Sequence, residues 1–167
     1  MRTESSIILV LTLLVSACAG VADLRPGESV VADVRRALGE PAMRWQDDDG
    51  TICLAYPRGP EGLKTFMVRI AADGRLKDVE NVLDEQHFAD VNPGMSKEQV
   101  LRRLGPPQPG RTMYFKARDE LAWEWRYCDV RNGEARFSVL FDATKETARS
   151  AYSVRDTCES GQCWCAH

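Results

Sequence analysis

Two stretches of this chain carry the same punctuation, and that duplication limits the folds open to it more than any other feature. Pro26-Gly27, Val34 and Leu38-Gly39 with Pro41 recur as Pro93-Gly94, Val100 and Leu104-Gly105 with Pro107; the offset is 67 residues before a one-residue gap and 66 after it. Self-similarity at a fixed spacing marks a folding unit used twice. In the second copy Ser96 followed by Gln99 forms a capping box, the hydroxyl accepting from a free backbone N–H and the amide reaching back. Val100, Leu101 and Leu104 then make an apolar stripe at helical spacing. Gly105 permits the left-handed turn that ends a helix, and Pro106 and Pro107 forbid its continuation. The first copy uses Val30, Val31, Val34 and Leu38 as the stripe and Gly39 with Pro41 as the stop, with Glu28-Ser29 where the second has Met95-Ser96.

After each helix the apolar period falls from near 3.6 to near 2. Residues 121–127 alternate apolar with small or polar, and residues 135–141 do so through Phe137, Val139 and Phe141, which predicts hairpin partners with one buried face. Asn132-Gly133 between them suits a tight turn with positive φ. The first copy repeats this with strands at 51–56 and 66–71, then Asp73-Gly74 turning into a third strand at 76–82; residues 150–154 are its counterpart in the second copy. Residues 84–89 read as a short helix whose Phe88 packs on the second unit. The predicted fold is α+β: two tandem units, 24–83 and 84–157, each of short helices packed on a three-stranded antiparallel sheet, and then a Cys-rich tail at 158–167.

The front of the chain bears on where it resides. Residues 7–15 are nearly unbroken aliphatic sequence. A run that short spans roughly 14 Å as a helix, about half the roughly 30 Å of a bilayer's hydrocarbon layer, so it reads as a signal peptide over 1–17. Val15-Ser16-Ala17-Cys18 resembles the lipobox of bacterial lipoproteins, which implies cleavage before Cys18, acylation of that cysteine and a lipidated linker over 18–23. Several acyl chains on one residue exceed the two signals that stable anchoring needs. Ala19, in place of Asp, implies sorting to the outer membrane, where the chain would face the periplasm. An ordinary signal peptide beside a coincidental cysteine is the alternative.

Removing 1–17 leaves 150 residues, enough for one domain or two small ones. The net charge of −3 excludes a nucleic-acid partner, which calls for a basic patch or a high isoelectric point. Arg35-Arg36 and Arg102-Arg103 read as solvated helix faces. Five cysteines remain beside Cys18, and export would expose them to an oxidising compartment. Five is odd, so one must stay free, bind something or pair between molecules.

With these residues in view, the second copy, its Trp125-Arg126-Tyr127 strand and its strand ending Phe141-Asp142 resemble the BamE (SmpA/OmlA) family of outer-membrane lipoproteins. That family's domains read Gly-Met-Thr-x-x-x-Val-x-x-x-Leu-Gly-x-Pro, then an aromatic strand, then an apolar strand ending Phe-Asp. The first copy matches less closely, and the duplication departs from the single-domain pattern. The resemblance implies a non-catalytic accessory or scaffold role in assembling β-barrel proteins into the outer membrane, or in envelope maintenance. Its partners would be outer-membrane lipid through Cys18 and envelope proteins, the β-barrel assembly machinery among them. It also implies similarity to the tandem fold of the β-lactamase inhibitor protein, so a periplasmic inhibitor or ligand-binding lipoprotein is the second reading.

No catalytic constellation is legible. The two histidines are His87 and His167, and no nucleophile elbow, phosphate-binding glycine loop or His-Glu-x-x-His occurs. His87 reads as a surface helix residue, and Asp47-Asp48-Asp49-Gly50 as a solvated hairpin turn, because consecutive acids lack the spacing of a calcium loop. No cofactor or resident metal is called for. The tail's Cys158, Cys163, Cys165 and His167 are the residues from which a metal-handling reading would be built. The preferred reading instead pairs Cys128, ending the aromatic strand, with Cys158, just past the last strand, and leaves Cys53 as a simple buried thiol. Trp123, Trp125 and Tyr127 share one strand face; they are the candidate partner surface, while core packing is the reading that their spacing favours.

Overall fold

The computed structural model describes residues 20–58, 62–158 and 161–165. The repeated motifs fold as α1, Val31–Leu38, and α3, Lys97–Leu104, with α2, Glu85–Ala89, between them. The second capping box is complete: the Ser96 hydroxyl accepts from the Gln99 N–H at 3.2 Å and the Gln99 amide oxygen accepts from the Ser96 N–H at 2.8 Å. The first copy keeps half of it. Val30 stands at the N-cap without a polar side chain, while the Asp33 carboxylate accepts its N–H at 2.9 Å.

Each helix leads into an antiparallel meander. The first is β1 (Met43–Gln46), β2 (Ile52–Arg58), β3 (Lys64–Ile70) and β4 (Leu76–Asn81); the second is β5 (Thr112–Phe115), β6 (Glu120–Cys128), β7 (Glu134–Asp142) and β8 (Thr147–Arg155), and each sheet keeps chain order. This overturns the α+β expectation of three-stranded sheets under tandem helices: the chain is mostly β, with two four-stranded sheets and a few short helices. The strand missed in each unit is the one following the helix. β5 shows why, since it is short, almost fully exposed and without apolar alternation. Backbone bonds seat both strands, Ala42 N–H to Ala55 O and Gln108 N–H to Glu124 O, each at 2.9 Å.

The repeated Pro-Gly has a definite task. Gly27 and Gly94 adopt φ of 79° and 89°. Their N–H groups donate to the carbonyls of Leu76 and Ala148, at 2.7 and 2.8 Å, and the N–H groups of Leu76 and Ala148 return to Ser29 O and Met95 O at 2.8 and 2.7 Å. The loop ahead of each helix is thus stitched to the start of the fourth strand, which sets the helix over its own sheet.

The layers stack in the order α1, first sheet, α2 with α3, second sheet. Val34 and Leu38 of α1 pack on Leu54, Tyr56, Val68 and Ile70, one face of the first sheet. Its other face, through Trp45, Ala55 and Met67, joins Val100 and Leu104 of α3, Phe88 of α2 and the inner face of the second sheet in a single cluster. At the end of α3, Gly105 has φ 72°, and a Cβ there would lie 2.8 Å from Thr65 Cγ2 and 3.4 Å from Ala55 Cβ. Its carbonyl accepts the buried Trp125 indole N–H at 3.3 Å. Gly39, the equivalent residue of α1, has φ 82° and open space around it.

Replacing either glycine by alanine therefore separates two costs. Gly39→Ala pays only for the left-handed backbone, about 1–2 kcal/mol, whereas Gly105→Ala adds overpacking between the sheets of about 1–3 kcal/mol more. Urea unfolding of both variants should show Gly105→Ala as clearly the less stable; equal losses would mean that α3 does not sit wedged between the two sheets.

Candidate functional site

The aromatic strand points inward. Trp125 and Tyr127 are 1% and 2% exposed, and Trp123 lies half-buried with its ring 4.7 Å from that of Phe141. Phe88 stacks on Phe137 at 4.1 Å and meets Tyr127 edge-on at 4.7 Å. These three residues are thus not a partner surface, because α2 and α3 occupy the face they share. Period 2 shows that they lie together but not on which side the helices settle.

The opposite face of the second sheet has no helix over it among the described residues. Its centre is a charged belt. Arg126 and Arg136 stand directly opposite each other in the β6–β7 register, a placement that repels unless carboxylates intervene. Arg126 pairs with Glu134, Arg136 pairs with Asp156 and with Glu124 at 3.4 Å, and Arg111 reaches Glu124 at 3.2 Å. The hydrogen bond that Arg136 Nε donates to the Asp156 carboxylate leads the causes that push the Arg136 guanidinium pKa up.

Around the belt sit apolar side chains turned to solvent: Met113 at 58% exposure, Tyr152 at 48% and Val154 at 46%, with Leu140 and Phe115 partly covered. The Arg118 guanidinium lies 4.4 Å over the Phe115 ring. A depression of about 310 Å³ opens between Met113, Ala122, Glu124 and Tyr152. Arg, Met and Tyr around a neutralised belt are the residue types enriched where proteins meet. Tyr152 was legible only as a member of a strand; nothing in the repeat pattern singles it out.

The tail corrects the expected pairing of Cys128 with Cys158. Cys128 is bonded to Cys165, and Cys158 to Cys163, with Cα separations of 6.0 and 5.3 Å. The cause is a small hairpin, β9 (Thr157–Cys158) with β10 (Gly161–Gln162), which turns the chain back so that Cys163 returns to Cys158. Residues 163–165 then lie along the end of the β6–β7 hairpin: Glu134 N–H donates to Cys163 O at 2.9 Å and Cys165 N–H to Asn132 O at 3.0 Å. With these four thiols in disulfides, the metal-handling reading loses its ligands.

The same hairpin end holds a buried carboxylate. Asp129 Oδ1 accepts the N–H groups of Arg131 and Gly133 at 2.8 and 2.9 Å, and Oδ2 accepts Arg155 Nε. Asn132 takes φ 61° in this turn. Burial pushes the Asp129 carboxyl up, but the two backbone donors and Arg155 outweigh it and hold its pKa below the ordinary carboxylate range.

Two further features lie between the units. A polar crevice of about 360 Å³ includes Arg69, His87, Arg102 and Arg103. Its charges are closed on one another: Arg69 on Asp78 and Glu80, Arg102 on Asp47 and Glu98, Arg103 on Asp90. His87 Nδ1 is 2.8 Å from Asp84, the N-cap of α2, so this histidine caps structure and is not placed as a general base. Cys53 is half-buried with its Sγ 3.5 Å from Asp47, and burial first, then that carboxylate, push its thiol pKa up. The second feature is a cavity of about 450 Å³ walled by Pro57, Pro106, Pro107 and Trp125. Cys18 lies outside the described residues.

No protein-family model matches this chain, and no curated protein does. Among solved structures, an extracellular protein containing a SCP domain from Bacillus anthracis str. Ames aligns with 96% of the chain at 9% identity and a TM-score of 0.32. The chain spans 57% of that protein's length, and a likeness this slight bears on neither fold nor function.

Two predictions test the hairpin end. By loop-closure entropy the 37-residue Cys128–Cys165 link stabilises by about 4 kcal/mol and the 5-residue Cys158–Cys163 link by about 2, so the paired alanine variants should rank in that order in urea unfolding. Because the folded pKa of Asp129 is lowered, its contribution is present in full above the unfolded value of about 3.9 and fades as pH falls through the folded value. Asp129→Asn should flatten the acid limb of the stability curve and leave the slope near neutral pH unchanged.

Proposed function

We propose that this chain is an outer-membrane lipoprotein, acylated at Cys18 and facing the periplasm, that catalyses nothing. It offers the open face of its second sheet to an envelope protein, as an accessory or scaffold in β-barrel assembly or envelope maintenance. The observation that carries the binding role is that face: three sheet faces are covered by the chain's own helices, and the fourth presents Met113, Tyr152 and Val154 around a neutralised belt. The location is supported by the lipobox-like Val15-Ser16-Ala17-Cys18 and by the three tail cysteines and Cys128 joined as two disulfides, which persist in oxidising compartments. The link to barrel assembly is supported by the BamE-like pattern of the second copy: its helix motif, the Trp125-Arg126-Tyr127 strand and the strand ending Phe141-Asp142.

A second reading, a ligand-binding lipoprotein, draws on the proline-walled cavity between the units. Rigid walls without backbone N–H groups suit an apolar guest.

Labelled palmitate should enter the wild type and not Cys18→Ala. Affinity purification from envelope membranes should recover assembly-machinery components with the wild type and lose most of them with Met113→Glu, at unchanged melting temperature. Unlabelled wild type would remove the anchor from this reading. Recovery indifferent to Met113→Glu would remove the open face.

A further inference from the structure

The two large sheets have four edge strands, and they are not protected alike. A bare edge presents unpaired backbone N–H and C=O groups, and proteins guard such edges with shortness, charge or a covering segment. β1 and β5 are four residues each; β1 holds Arg44 and is followed by Asp47, and β5 lies between Arg111 and Lys116. β4 carries Lys77, Asp78 and Glu80 within six residues. β8 has such guards only toward its ends, Arg149 beside a register shift at one and Arg155 at the other. The Gly94–Met95 loop bonds its Ala148, and beyond that no backbone group of the described residues bonds the outer edge of 149–155. Residues 150–154, Ser-Ala-Tyr-Ser-Val, hold no charge and no proline.

We propose that this edge pairs with the same edge of a second copy, antiparallel, about a two-fold axis through Tyr152, so that two four-stranded sheets become one continuous sheet of eight. Backbone stoichiometry demands a strand as occupant, and charge selects which strand. The neutral run is bounded by Arg149 and Arg155, each already holding its own carboxylate, Asp142 at 2.9 Å and Asp129 at 2.5 Å, so the edge shows a partner strand almost no net charge. Side chains opposite one another in an antiparallel pair must share a face, so allowed registers differ by two residues. The register centred on Tyr152 sets all five neutral residues against five neutral residues. At its ends that register sets Arg149 against Arg155 of the second copy, a like-charge opposition that the carboxylates of Asp142 and Asp129 offset, and shifting it either way shortens the neutral overlap. Ser150, Ala151 and Ser153 are small enough for close approach, and Tyr152 meets its symmetry mate on the exposed face. A closed two-fold contact also consumes both edges and leaves none to propagate. The pairing uses the strand's edge, but Tyr152 also belongs to the open face assigned a partner above, so the pairing is read on the purified chain, without that partner.

Sedimentation equilibrium of the full chain in density-matched detergent, at high micromolar concentration, should give particles of two chains. Tyr152→Lys alone and Tyr152→Glu alone should each fall to one chain, because like charges then face each other across the axis, and mixing the two should restore the pair. Circular dichroism confirms that each variant is folded, as expected for a residue 48% exposed. A wild type of one chain, variants that remain paired, or folded variants that fail to recombine would each overturn the proposal.

Discussion

The end of α3 is the point on which the architecture turns. Gly105 lies against Thr65 and Ala55 of one sheet while its carbonyl holds the indole of Trp125 from the other. An eight-residue helix is far below the length at which helices are stable alone, so α3 persists because Val100 and Leu104 are buried in the cluster that both sheets share. The units therefore do not stand as separate domains with separate cores. A chain of this size, cut in half, would leave each part marginal, and the shared cluster from Trp45 to Phe141 offsets that.

Stacking in this order has a consequence at the ends. The first sheet is covered on both faces, by α1 and by α3, so strands β2 and β3 bury both sides, as Leu54, Ala55 and Tyr56 in succession show. The second sheet is covered once, and β7 alternates strictly between buried and half-buried residues. Where a third unit's helix would sit, Glu124, Arg126 and Arg136 form a polar belt instead, and terminal repeats need such an outer face for solubility. The cysteine tail closes the hairpin end of the same sheet. The second unit thus turns one face of its sheet to solvent.

Much of the local structure was legible. Ser96 and Gln99, Gly105 and its prolines, and Asp84 ahead of α2 act within one or two turns, so their signals survive in the linear chain. The strands β1 and β5 were not legible: β5 has no apolar alternation, and β1 alternates over only four residues, Met43 and Trp45 against Arg44 and Gln46, so both depend on backbone bonds to β2 and β6. The disulfide partner of Cys128 was missed for a related reason. Cys158 is nearer in sequence, but the β9–β10 turn carries Cys165 to the site instead. Trp123, Trp125 and Tyr127 were grouped correctly on one face, and of the two readings held for that face the structure gives core packing over a partner surface; a period by itself says nothing about which side a helix will cover.

The sequence alone determined the duplication, the capped helices and their stops, the alternation of the long strands and the neutral, proline-free run at 150–154, because each is a matter of residue type and spacing along one segment. Tertiary structure decided the number of strands in each sheet, the direction of the aromatic face, the cysteine pairing and the exposure of the β8 edge. Those depend on which surfaces meet, and the meeting is set by the summed burial of distant residues, with α3 held between two sheets that neither copy of the repeat could specify by itself.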